Sequence, residues 1–106
     1  MKIKIIITTT DSNKTASNIA ECLVKDNLSP CVQILPNLQS VYKWKGKLDK
    51  SSELQLLIKT IPEKVQHCKK LVLKLHNYEV PEIVITDGEI LNDSYMDWFI
   101  EYTQRI

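Results

Sequence analysis

A chain of 106 residues, 43% apolar and 25% charged, reads as a single globular domain over residues 1–106, with enough apolar content for a core without staples. A net charge of +1 and one arginine, Arg105, argue against a broad basic face for nucleic acid and against bidentate arginine recognition of phosphate or guanine. The run Ile5-Ile6-Ile7 is too short for a leader core or a membrane span. Three cysteines with no CxxC pair (Cys22, Cys31 and Cys68) point to a reducing compartment, the cytoplasm.

Lys2 to Thr9 is rich in β-branched residues and reads as a buried strand, bounded by Thr10-Asp11-Ser12, which offer caps for a helix. Ala16, Ile19, Ala20, Leu23 and Val24 then recur at helical spacing, predicting a helix from about 12 to 27. Cys31 to Leu35 reads as a second strand, with a break at Pro36. The extended pattern resumes over Ser40 to Trp44, Gly46 supplies a turn, and Leu48 to Thr60 returns as a long strand. Thr60 and Glu63 have capping-box spacing for a second helix, with Pro62 in its first turn and Val65, Cys68, Leu71, Val72 and Leu75 on one face. Ile83 to Thr86 makes a fourth strand. Asn92-Asp93-Ser94 then offer caps to a last helix striped with Tyr95, Trp98, Phe99 and Tyr102.

The order βαββαβ plus a terminal helix is the α+β, ferredoxin-like arrangement, a four-stranded antiparallel sheet with two helices on one face. The hairpin over 39–60 is long for so small a domain and is apolar on both faces. Its exposed edge and uncovered face favour oligomerisation. Named absences remove three functions common on this fold. The first and third strands lack the aromatics of RNA-recognition sheets, no arginine stands near the first strand to hold phosphate, and Thr8-Thr9-Thr10-Asp11 replaces the CxxC of metal chaperones.

The densest chemistry lies in His76-Asn77-Tyr78-Glu79-Val80-Pro81-Glu82, at a helix-to-strand junction. Pro81 pushes Val80 toward extended backbone and so aims the cluster. His76 either ligates Cu²⁺ or Zn²⁺ with Glu79 or Glu82, or bonds backbone at the helix C-terminus. Cys31 is a soft ligand or a small buried side chain. Lys59, ending a strand, needs a carboxylate such as Glu79 or Glu82, either in a subunit cleft or as a structural pair. Tyr42, Trp44, Tyr78 and Trp98 make an aromatic pocket or anchor an interface. The lysines at 43, 45, 47 and 50 straddle the turn as a solvated tip.

Ser40-Val41-Tyr42-Lys43-Trp44-Lys45-Gly46-Lys47-Leu48, Ile58-Lys59-Thr60, the His76–Ile83 segment and Tyr95-Met96-Asp97-Trp98, in that order, resemble the CutA divalent-cation tolerance family, and Cys31 to Pro36 fits its segment before the hairpin. The resemblance implies a homotrimer of PII-like architecture with hairpins pairing between subunits, and an association with divalent metal, copper above all. The copper site proposed for some members uses a thiol where Thr8 stands here and a second histidine where Leu75 stands, and Asn77 replaces the commoner proline. The expected site residues are therefore His76, Glu79 and Glu82 for metal, Cys31, Lys59 and Tyr78 for a cleft, and Tyr42, Trp44 and Trp98 for the trimer interface. No catalysis, required cofactor, nucleic acid or membrane is expected. The alternative is a small-molecule sensor taking an organic anion through Lys59, or a scaffold. An enzyme pairing Cys31 with His76 is the weakest reading.

Overall fold

β1 (Lys2–Thr10) is one residue longer than its β-branched run predicts, and its alternation sends Ile6 to one sheet face and Ile3 and Ile5 to the other. The computed structural model describes residues 1–103, so Arg105 lies outside them. α1 (Asn13–Lys25) starts where the Ser12 hydroxyl accepts the Thr15 N–H at 3.1 Å, and it buries Ala16, Ile19 and Leu23. The helix closes on Asn27, at φ 56°. Leu28 N–H reaches the Leu23 carbonyl and Asn27 N–H that of Val24, the pairing of a Schellman motif.

β2 (Cys31–Trp44) and β3 (Lys47–Thr60) form a hairpin as long as the molecule. Fourteen residues at about 3.3 Å each account for the 47 Å long axis. Lys45 and Gly46 turn it, both with positive φ (51° and 78°), the two-residue turn whose twist suits flanking strands. The break expected at Pro36 does not occur. β2 runs through it and absorbs one extra residue as a bulge, between the pairs Leu35↔Gln55 and Leu38↔Glu53, with Asn37 at φ 64°. Proline has no N–H to give a ladder, and a bulge asks for none.

Thr60 is not a helix cap, as its spacing from Glu63 suggested. It is the last residue of β3, and its hydroxyl donates to the Leu28 carbonyl at 2.6 Å. A single 3₁₀ turn (Pro62–Lys64) leads instead into α2 (Val65–Leu75), with no side-chain cap. β4 (Ile83–Glu89) runs three residues beyond Thr86 because Asp87-Gly88-Glu89 pair with β1. A Cβ on Gly88 would fall 3.0 Å from Ile5 Cδ1, and the Lys4 ammonium reaches Asp87 at 2.5 Å.

The sheet order is β2-β3-β1-β4, all antiparallel, giving βαββαβ and then α3 (Asp93–Thr103), as predicted. α1 and α2 cover one face, where Ile6, Leu56, Ile58, Cys68 and Val72 join the α1 stripe in the main core. α3 packs Phe99 on Ile3, Ile61 and Ile90 of the other. The rest of that second face, along the hairpin, stays open.

Candidate functional site

The junction after α2 is clipped to the end of β1 by its first two residues. His76 caps α2, its backbone N–H bonded to the Val72 carbonyl at 2.9 Å. Its Nδ1 accepts the Tyr78 N–H at 3.0 Å, which leaves the ring proton on Nε2, donated to the Thr9 carbonyl at 2.9 Å. Asn77 continues the clip. Its carbonyl oxygen accepts from the Thr10 hydroxyl at 2.5 Å, and its Nδ2 donates to Asp11 at 2.8 Å. Tyr78 then crosses to β3, where its hydroxyl donates to Glu53 Oε2 at 2.6 Å. Burial first, and then that hydrogen bond, hold the phenol well above its ordinary pKa.

This loop walls a cleft of about 810 Å³ on the open face of the hairpin. Ladder pairs Ser40↔Ser51 and Tyr42↔Asp49 line it from below, with Trp44 toward the turn. Asp11, Asp49, Glu53, Glu79 and Glu82 bring five carboxylates to the lining, beside the rings of Tyr42, Trp44 and Tyr78. No described lysine, arginine or histidine lines it.

Of the expected metal residues, Glu79 and Glu82 line the cleft and His76 stands behind it, with both ring nitrogens engaged. Among the described residues no three His, Cys, Asp or Glu side chains gather as a metal-holding group. The expected cleft residues fall in two places. Cys31 and Lys59 face each other across the β2–β3 ladder, while Tyr78 meets Glu53, six residues or about 20 Å further along β3. Lys59 therefore has neither Glu79 nor Glu82 as its partner. Its ammonium lies 5.9 Å from the Tyr95 ring centre, and the ion pair among the described residues is Lys4–Asp87.

Tyr42 and Trp44 are 40% and 48% exposed, and Trp98 sits in a stack with Tyr95 and Tyr102 on α3. Cys68 is core, its thiol pKa raised by burial, and Cys22 is half-buried beside Asn18. Thr8 is fully buried, and its hydroxyl has no hydrogen-bond partner among the described residues. Asp11, Asp49 and Glu53 were not foreseen as site residues. The one signal was Glu53 itself, a charge inside a strand that must find a donor.

The family profile described as "CutA1 divalent ion tolerance protein" matches residues 4–102. The divalent-cation tolerance protein CutA of Thermus thermophilus is 39% identical over 94% of this chain and 97% of its own length. The chain belongs to the CutA family. Mouse Protein CutA is 34% identical over 92% of this chain, which spans about half (55%) of that relative's length. Among solved structures, T. thermophilus CutA1 superposes with a TM-score of 0.88, covering 97% of this chain and 99% of that one. CutA from Xylella fastidiosa, 30% identical, gives 0.91 with 96% and 98% covered. The family profile and the T. thermophilus relative are named for tolerance of divalent cations rather than for a reaction.

Proposed function

We propose that this CutA chain assembles as a PII-like homotrimer in the cytoplasm and takes divalent cations, Cu²⁺ and Zn²⁺ among them, weakly at clefts between subunits, without catalysis. The observation that carries the reading is the lining of the cleft: five carboxylates and no described cation. Carboxylate oxygens attract dications, but without an assembled nitrogen or sulfur donor they hold copper or zinc loosely. The trimer is supported by the hairpin, which exposes Val41 and Leu48 on one face and Tyr42 and Trp44 on the other. Three free cysteines suit a reducing compartment. An organic anion would meet only like charge in this cleft, since Lys59 lies elsewhere with Cys31 and Tyr95.

Glu79 and Glu82 supply the ligands, and His76 positions the loop that carries them, because ligation by its ring would sacrifice hydrogen bonds to Thr9 and Tyr78. Calorimetry with ZnCl₂ and CuCl₂ tests this. Saturable heat should appear for the wild type and disappear for Glu79→Gln/Glu82→Gln; matching isotherms would remove the cleft as the site. His76→Asn should keep most of the binding, and a complete loss would make His76 a ligand instead. Sedimentation should return three times the 12.3 kDa chain mass, and a 12.3 kDa species would overturn the trimer.

A further inference from the structure

We infer that the outer side of the α1–α2 layer docks peripherally on an anionic lipid surface. This surface is separate from the cleft of the proposed function, because the two helices cover the opposite face of the sheet. It is also separate from the Tyr42 and Trp44 side of the hairpin, so subunit contact there leaves it uncovered. The net charge of +1 conceals a segregation. Lys14, Lys25, Lys69, Lys70 and Lys74 stand on the two helices against the single acid Glu21, a net +4, and the rest of the chain carries −3. All five ammonium-bearing residues are exposed, and none is in a hydrogen bond or ion pair among the described residues. Lys4, Lys59 and Lys64, by contrast, rest on Asp87, the Tyr95 ring and the Asn27 carbonyl.

α2 has no acidic residue at all. Lys74, in its last turn, suits the negative end of the helix dipole, but Lys69 and Lys70 stand mid-helix where the dipole asks for no cation. Lys70 and Lys74 are like charges at i and i+4, a pairing that weakens a helix; an anionic surface turns that repulsion into attraction. Leu73 is 48% exposed and follows Lys69 and Lys70 by four and three residues, which puts it on their face. Lysine stems can lie beside such a leucine at a bilayer while their ammoniums reach the headgroups. A basic cluster of this kind binds acidic lipid by charge. Lipid is favoured over an acidic protein by the donors, five lysine point charges and no arginine fork to set a geometry. No helix among the described residues is long and apolar enough to cross a membrane, so the contact is peripheral.

The test is co-sedimentation of the wild-type protein with phosphatidylcholine vesicles, with and without phosphatidylserine, at low and at high NaCl. The protein should pellet only with phosphatidylserine present, and salt should release it. Lys69→Gln/Lys70→Gln should weaken binding at least ten-fold, at about five-fold for each lysine near an anionic surface. Leu73→Ser should weaken it too, without changing its salt dependence. Lys47→Gln/Lys50→Gln removes the same charge at the hairpin turn and should leave binding within two-fold of wild type. Absence of phosphatidylserine-dependent pelleting would overturn the assignment. Equal losses in the helix and turn variants would also overturn it, because net charge and not this face would then be responsible. Binding of a poly-glutamate peptide with the vesicles silent would give the face to an acidic protein instead.

Discussion

Tyr78 and Glu53, 25 positions apart, are joined by a 2.6 Å hydrogen bond that ties the loop after α2 to the middle of β3. The phenol is the only described donor to a carboxylate that is almost fully buried. Tyr78→Phe removes the donor and leaves the acceptor, the costly half of a broken pair, so unfolding free energy should fall by about 1–3 kcal/mol. Urea titration of both proteins measures it. A double variant, Tyr78→Phe with Glu53→Leu, should recover part of the loss, because no buried charge then lacks a donor.

The same bond sets an alkaline limit. The Tyr78 pKa is raised above the ordinary phenol value of 10.0 in the fold. A raised value means that folding favours the proton, so this contribution is complete below pH 10 and declines as pH climbs toward the folded value. The stability margin of wild type over Tyr78→Phe should be flat between about pH 7 and 9 and shrink above pH 10. A margin that grows with alkalinity would contradict the sign.

Thr8 buries a hydroxyl that bonds to nothing described, between Leu56 and Ile83 in the strand register. Thr8→Val has nearly the same shape and no polar atom to desolvate. It should raise stability by about 1 kcal/mol, read as a higher thermal midpoint at fixed protein concentration, because assembly would otherwise shift the midpoint by itself.

Lys45 occupies a left-handed position that costs a side-chain residue about 1 kcal/mol, and Gly46 beside it already has the freedom the turn requires. Lys45→Asn creates the Asn-Gly pair such turns favour and should stabilise by up to that amount. Gly46→Val should destabilise by more than 1 kcal/mol, since a β-branched side chain resists φ of 78° even with no atom crowding its Cβ. Chemical denaturation of the two variants in parallel gives both signs.

The strands and helices were legible because each carries its own pattern: the β-branched run in β1, the apolar Leu54-Gln55-Leu56-Leu57-Ile58 end of β3, the Ala16-Ile19-Leu23 stripe in α1, the aromatic stripe in α3. What escaped depended on partners far along the chain. Thr60 and Glu63 have the spacing of a capping box, but Thr60 is claimed by the Leu28 carbonyl 32 residues away. β4 looked finished at Thr86 because Asp87-Gly88-Glu89 is polar, yet β1 supplies its pairing and an ion pair. Lys59 invited the nearby glutamates of the loop, but the register sets it against Cys31 and puts the loop at the Glu53 end. Within the site, Tyr78, Glu79 and Glu82 could be found from their junction alone. Asp11, Asp49 and Glu53 needed the hairpin register and the turn of the β1 end.

That register hinges on the irregularity at Pro36-Asn37. Ahead of it, odd-numbered residues of β2 oppose odd-numbered residues of β3; beyond it, even oppose odd. One surplus amino acid thus decides which side chains of the outer ribbon look inward. Were the ladder regular past Asn37, the earlier register would carry on and turn every later residue of β2 to the other face. Val41 would then oppose Asp49 and Lys43 oppose Lys47, in place of Tyr42 and Trp44, and an ammonium from the chain itself would occupy a space now ringed by acid.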